Sequence, residues 1–350
     1  MQEFQIGANE EGQRLDKFLH KYLKEANTSF LYKMLRKKNI TLNKKKADGK
    51  EILTKGDLVQ FFFSEDTFLK FRGKNTLTSS SFVKEGCMKS NNEKIDFCIK
   101  QYDLAYKKLG KIEIIFENEH ILLLNKPAGV LSQKANHNDL SINEWLIGYL
   151  LTQGKITTEQ LETFKPSICN RLDRNTSGLM ICGKSFLGSQ TMNSLIKDRS
   201  VKKYYRTFVK GKISEGNHIR GYLKKDQINN KVSLVNEIKA EQDKEYQFIE
   251  TAYEPLSYGE GCTYLEVELI TGKTHQIRAH LASIGHPLLG DEKYGDRKWN
   301  ATFTQYDLPK HQLLHSYCLK FPIMEGDFED ISGQKFVAKE PAIFDRVRSK

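Results

Sequence analysis

The segment Ile121-Leu122-Leu123-Leu124 is apolar at every position. A strand with one wet face alternates, so an unbroken apolar strand needs cover on both faces. Leu179-Met180-Ile181-Cys182 reads as a second core strand. Ile112–Phe116 leads into the first run across a polar turn at Glu117–His120. Lys202–Val209 has strand character, with Tyr205 and Thr207 on one face. In Tyr264–Leu269, residues Leu265, Val267 and Leu269 should face the core, with Glu266 and Glu268 outward. Leu314–Tyr317 and Gln334–Ala338 supply further strand-like segments.

Helical spacing intervenes between these strands. Ser141-Ile142-Asn143-Glu144 is a capping-box pattern, opening a helix with Trp145, Leu146, Tyr149 and Leu150 on one face. Ser185 can cap a helix running to about Lys197. A third helix follows Gly272, with Ile277, Leu281 and Ile284 on its buried side and Gly285 past its end. Strands in clusters with helices between them predict an α+β fold rather than regular β-α-β winding.

At 350 residues the chain can hold one large or two ordinary domains. Residues 12–24 have helical spacing, with Leu15, Phe18, Leu19, Tyr22 and Leu23 inward. A second helix at about 28–38, capped by Asn27 or Thr28, turns Phe30, Leu31, Met34 and Leu35 inward. Lys33, Arg36, Lys37 and Lys38 then face out. A short strand at Ile40–Asn43, a basic turn at Lys44-Lys45-Lys46 and a strand at Leu58–Phe63 complete a small unit. Residues 66–110 contain Thr78-Ser79-Ser80-Ser81 and several lysines. They read as a linker with a short helix around Phe97–Leu109, letting the two parts engage separate regions of one partner. The division is 1–65, 66–110 and 111–350.

The formal charge of +11 and the pI near 9.1 suit a polyanionic partner. No apolar run approaches the roughly 20 residues a spanning helix needs. The N-terminus has neither the basic nor the apolar region of a signal peptide. The six cysteines, Cys87, Cys98, Cys169, Cys182, Cys262 and Cys318, form no C-x-x-C pair. A reducing cytoplasm fits them best, and Cys169 reads as packing.

The chemistry concentrates in Asn170-Arg171-Leu172-Asp173-Arg174-Asn175-Thr176-Ser177-Gly178-Leu179. Flanking positive charge favours the carboxylate form of such an aspartate. A carboxylate can attack a sugar carbon or hold a developing cation. A bare R-x-D triplet commonly does no more than fix a turn. The whole string, however, closely resembles the catalytic loop of the RluA-type RNA pseudouridine synthases. The resemblance extends to Asn125-Lys126-Pro127-Ala128-Gly129, Lys203-Tyr204-Tyr205 and Thr271-Gly272-Lys273-Thr274-His275-Gln276-Ile277-Arg278, in the family's order. Family loops usually carry His where this chain has Asn170. Residues 1–65 are similar to the S4 RNA-binding domain, a basic module common at the N-terminus of such enzymes.

The resemblance implies a mixed, largely antiparallel sheet with flanking helices and a central cleft. It implies conversion of uridine to pseudouridine in RNA, an isomerisation without redox change. Asp173 would be the catalytic carboxylate, attacking C1′ through a glycal route or adding to C6. Arg278 would be its ion-pair partner, and Tyr205 would stack on the base and assist loss of the C5 proton. The base must leave its helix to be reached, and Arg171 could fill the gap or grip a phosphate. Lys33, Arg36, Lys37 and Lys38 would touch RNA phosphates. No cofactor is expected: the chain has no P-loop or Rossmann fingerprint, and the spacing of His275, His280 and His286 fits no common zinc pattern. The expected partner is structured RNA, with large-subunit ribosomal RNA first and transfer RNA second, and the enzyme is expected to act as a cytoplasmic monomer. A non-catalytic RNA clamp in ribosome assembly is the contrasting class.

Overall fold

The computed structural model describes residues 1–72, 91–136, 138–158, 160–226, 231–235, 246–259 and 261–349. The N-terminal unit is a four-stranded antiparallel sheet in the order β1 (Gln2–Gln5), β4 (Leu58–Phe61), β2 (Ile40–Leu42), β3 (Lys45–Lys46). Helices α1 (Leu15–Tyr22) and α2 (Thr28–Arg36) bury Leu15, Phe18, Leu19, Leu31 and Leu35 against it. The Asn27 side chain accepts the Phe30 N–H at 2.8 Å and caps α2. Lys33, Arg36, Lys37 and Lys38 are exposed, as the spacing predicts. Asn43 and Lys44 both have positive φ, as a two-residue hairpin turn between β2 and β3 requires. Strand β1 was not read from the sequence.

Both described ends of the expected linker are packed helix. In α3 (Glu65–Arg72), Phe68 is buried in the N-terminal core. The Arg72 guanidinium lies 3.9 Å from the Tyr22 ring centroid and pairs with Glu162 at 3.1 Å. The second helix, α4 (Asn91–Leu109), packs on α5 (Ile142–Thr152). A Cβ at Gly148 of α5 would stand 2.3 Å from the Tyr102 carbonyl, so only glycine admits that crossing. The segment 73–90, with Thr78–Ser81 and Cys87, lies outside the described residues.

The N-terminal unit also touches the larger one directly, besides being joined to it through 66–110. Besides the Arg72–Glu162 pair, the Thr163 hydroxyl donates to buried Glu10 at 2.5 Å. Lys55 also pairs with Glu119 across the junction.

The larger sheet runs β11 (Lys231–Val235), β10 (Asn217–Asp226), β12 (Gln247–Gly259), β13 (Cys262–Leu269), β9 (Lys202–Lys210), β14 (Leu314–Lys320), β8 (Ser177–Gly183), β6 (Ile121–Lys126), β5 (Glu113–Glu117). β15 (Lys335–Val337) joins β14, and β7 (Ser167–Ile168) joins β8. Only β8 and β14 pair in parallel among the described strands. At Gly178, φ is +110° and a Cβ would meet the Ser316 carbonyl at 2.2 Å, so glycine sets that approach.

The unbroken apolar run behaves as its composition requires. Leu122 and Leu124 of β6 join Met180, Cys182, Leu265, Val267 and the α5 residues Trp145 and Leu146 on one side. Ile121 and Leu123 join Leu179, Ile181, Leu319 and Met192 of α6 (Phe186–Lys197) on the other. Two local expectations fail. The Ser141 hydroxyl bonds the Glu144 carboxylate directly and caps no backbone N–H. Helix α7 (Gln276–Ser283) stops before Ile284, which is 38% exposed.

Candidate active site

The Asp173 loop enters β8 and is fastened from two sides. Asn170 accepts the Ile181 N–H through Oδ1 at 2.7 Å, tying the loop's start to the strand. Ser132 clasps its middle: its hydroxyl donates to the Leu172 carbonyl at 2.7 Å and accepts the Leu172 N–H at 3.0 Å. Lys126 is fully buried, and its ammonium donates to the carbonyls of Pro127 (2.9 Å), Val130 (2.8 Å) and Arg174 (2.9 Å). Burial pushes Lys126 down to about 7, while Asp173 pulls it back up. Pro127 and Gly129 thus break the chain after β6, while Lys126 welds that break to the catalytic-type loop.

Lys126→Met should lower stability by about 1–3 kcal/mol, because it keeps the stem and removes the charged donor that joins the Pro127, Val130 and Arg174 carbonyls. Urea unfolding measures the difference. Turnover should fall further than RNA affinity, since the loop carrying Asp173 loses its fastening.

Opposite the loop stands the start of α7. Arg278 donates from Nη1 to Asp173 Oδ2 at 3.1 Å. Its other edge is held by Asp291: Nε donates to Oδ2 at 2.7 Å and Nη2 to Oδ1 at 3.0 Å. Asp291 is fully buried and also accepts the N–H groups of Lys293 (2.8 Å) and Tyr294 (3.1 Å). Burial pushes the Asp291 carboxyl up, but Arg278 and these amides outweigh it and leave it below the usual carboxylate range. The Arg278 fork is thereby fixed before any substrate arrives.

His275 caps α7 with φ at 53°, a left-handed setting. The Tyr294 hydroxyl accepts the Val232 N–H at 2.9 Å and shares a hydrogen bond with His275 Nδ1 at 3.0 Å. The other ring nitrogen of His275, Nε2, stands 3.9 Å from Asp173 Oδ2. Burial lowers the His275 pKa against the pull of Asp173. His280 and His286 point elsewhere, bonding Thr251 at 3.0 Å and the Lys210 carbonyl at 2.7 Å.

Tyr205 of β9 is 4% exposed and borders the same cleft. Burial pushes its phenol up to about 12, with Ser316 bonding it in the lowering direction and Asp173 raising it. At neutral pH Tyr205 therefore keeps its proton. The cleft measures about 790 Å3 and is lined by Ser132, Arg171, Asp173, Lys203, Tyr205 and Arg278, among others. Exposed Arg171 thus shares the cleft with Asp173, whereas Lys33, Arg36, Lys37 and Lys38 lie outside its lining.

The structure brings together Asp173, Tyr205, Arg278 and Arg171. Sequence reading missed Asp291, Ser132 and the His275–Tyr294 bond. Leu288-Leu289-Gly290-Asp291 looks like an ordinary turn after an apolar run. A carboxylate that far from Asp173 gives no local sign of sharing its arginine.

Residues 120–283 match the family model of RNA pseudouridylate synthase. The chain is 29% identical over 325 residues to an uncharacterized RNA pseudouridine synthase of Mycoplasma genitalium, covering 92% of this chain and 90% of that one. It is 28% identical over 324 residues to the ribosomal large subunit pseudouridine synthase C of Vibrio parahaemolyticus, covering 90% and 87%. The solved structure of human RNA pseudouridylate synthase domain containing 4 shares the fold. Its TM-score is 0.53 at 21% identity, over 70% of this chain and 94% of that one.

Proposed function

The chain belongs to the RNA pseudouridylate synthase family, in its RluA-type branch, and from that premise we propose that it isomerises uridines of large-subunit ribosomal RNA with Asp173 as the catalytic carboxylate. The N1–C1′ bond breaks with its electron pair staying on N1, the uracil turns, C5 joins C1′, the C5 proton leaves and N1 takes up a proton. Atoms and electrons balance without a cofactor. The observation that carries this reading is the Arg278–Asp173 contact at 3.1 Å, with the guanidinium already held by Asp291. Such preorganisation holds a carboxylate in one orientation toward an incoming ribose or base.

Tyr205 acts first as a platform under the flipped base. A phenol raised to about 12 is a poor proton acceptor at neutral pH, so stacking accounts for it better than base catalysis. Arg171, exposed at the cleft mouth, fills the gap left by the flipped nucleotide or grips a flanking phosphate. Unstacking costs a few kcal/mol, which phosphate contacts offset. The ribosomal substrate rests on relatives named for the large subunit and on the net charge of +11. The site of action is the cytoplasm, where the enzyme works as a monomer.

Residues 1–65 act as an S4-like RNA-binding unit. Replacing Lys33, Arg36, Lys37 and Lys38 together by Gln should reduce the salt dependence of RNA affinity, by about 0.7–0.9 in log–log slope for each phosphate no longer neutralised. An unchanged slope would remove this face from the interface. The proposal as a whole is tested in vitro. Purified enzyme is mixed with large-subunit ribosomal RNA transcript or with unmodified transfer RNA, and pseudouridine is mapped in each. Product in the ribosomal transcript is expected, and product confined to transfer RNA would overturn the substrate assignment.

A further inference from the structure

One cation in the cleft has no counterpart in the mechanism above. Lys203 lies two residues before Tyr205 on β9, so both side chains leave the same face of the strand, about 7 Å apart along it. It is only 8% exposed. Buried lysines normally reach a carboxylate or a set of carbonyls, as Lys126 does. Lys203 has no hydrogen-bond or ion-pair partner among the described residues, and it lines the 790 Å3 cleft.

Its surroundings sharpen the anomaly. The neighbouring Lys202 pairs with Glu268 at 3.3 Å, so the local acid is engaged elsewhere. Burial lowers the Lys203 pKa, and the charge that adds to this is another cation, Arg199. On the cleft side stands Gly272, where a Cβ would come within 3.8 Å of the Lys203 ammonium. A side chain there would make only ordinary contact, so that edge has room beside the ammonium. Exposed Lys273 follows it in the same lining.

We propose that Lys203, with the open Gly272–Lys273 edge beside it, is a phosphate subsite that seats the backbone of the nucleotide whose base lies on Tyr205. This deepens, and rests on, the assignment of the cleft to an RNA uridine. The ammonium opens onto the cleft without a protein acceptor among the described residues, so an anionic phosphate can seat against it, and the Tyr205–Lys203 spacing suits a base and its own backbone. Lys203 is a positioning residue: it holds the strand while Asp173 and the base react.

The test uses the full chain and a large-subunit ribosomal RNA transcript. Affinity is measured over a range of salt for the wild type, Lys203→Met and Lys203→Arg, with single-turnover conversion alongside. Lys203→Met should flatten the log–log salt slope by about 0.7–0.9, the share of a single phosphate. It should also raise the half-saturating RNA concentration about tenfold at low salt. Lys203→Arg should restore the slope. A folded Lys203→Met with the wild-type slope and half-saturation would overturn the subsite and leave Lys203 as packing.

A second measurement needs no variant: acetylation of Lys203 in the wild-type protein, with and without the transcript. Protection by RNA supports the subsite, and equal acetylation overturns it. Failure of the parent assignment would show separately, as wild-type enzyme that forms no pseudouridine.

Discussion

Asp173→Asn is expected to abolish pseudouridine formation, by at least about a thousandfold, while RNA affinity stays within about threefold. The substitution preserves side-chain size and an acceptor for Arg278 Nη1, now at 3.1 Å, and removes the charge. RNA affinity comes from many phosphate contacts spread over a basic surface, to which a carboxylate contributes no attraction. The measurement is single-turnover conversion at saturating RNA, with binding measured separately. Full turnover by the Asn variant, after deamidation is excluded by mass, would sink the assignment. A clamp protein would show no conversion by either form.

The second large effect concerns folding as well as chemistry. Arg278→Met strips the guanidinium from Asp291, which is fully buried and keeps the Lys293 and Tyr294 amides as donors. Stripping one partner from a buried ion pair costs about 3–5 kcal/mol. The pH dependence should then change sign. In the wild type the Asp291 carboxyl is depressed, so its contribution is present above the unfolded value and lost as pH falls through the folded one. Without Arg278, burial stands largely unopposed and the folded carboxyl rises above its unfolded value. The variant's deficit is then greatest at about pH 8 and shrinks as pH falls through that raised value toward about 4.

Arg278→Met/Asp291→Asn should recover much of the stability and none of the turnover. Denaturant unfolding at several pH values reads the first, and conversion reads the second. If Asp291→Asn rescues activity together with stability, Arg278 serves the fold alone.

Much of this molecule was written in local pattern. The β6 run demanded cover on both faces, and two core clusters supply it. The alternation of Lys202–Val209 puts Tyr205 and Thr207 on one face, which the fold buries, and the α2 spacing leaves Lys33, Arg36, Lys37 and Lys38 in solvent. Four separated strings pointed to Asp173, Tyr205 and Arg278, which the fold gathers around one cleft.

What escaped depends on partners distant in the chain. Strands β10, β11 and β12 lie outside the family strings, and their polar faces weaken the alternation. The Asp291–Arg278 fork joins a turn to a helix with nothing local to announce it. The stretch 66–110 reads as a linker with a short helix around Phe97–Leu109, which α4 contains; α3 and the early turns of α4 have no comparable local signal, and the packing of Phe68 on the N-terminal core exists only in three dimensions. The docking of Arg72 on Glu162 and of Glu10 on Thr163 likewise joins segments far apart in sequence.

The central claim is that this chain modifies large-subunit ribosomal RNA through Asp173. The most direct measurement is a transcriptome-wide pseudouridine map from cells lacking the gene, restored with either wild type or Asp173→Asn. We predict that one or more pseudouridines vanish from large-subunit ribosomal RNA, return with the wild type, and stay absent with Asp173→Asn. A ribosomal RNA map unchanged by loss of the gene, or restored equally by Asp173→Asn, would contradict the account.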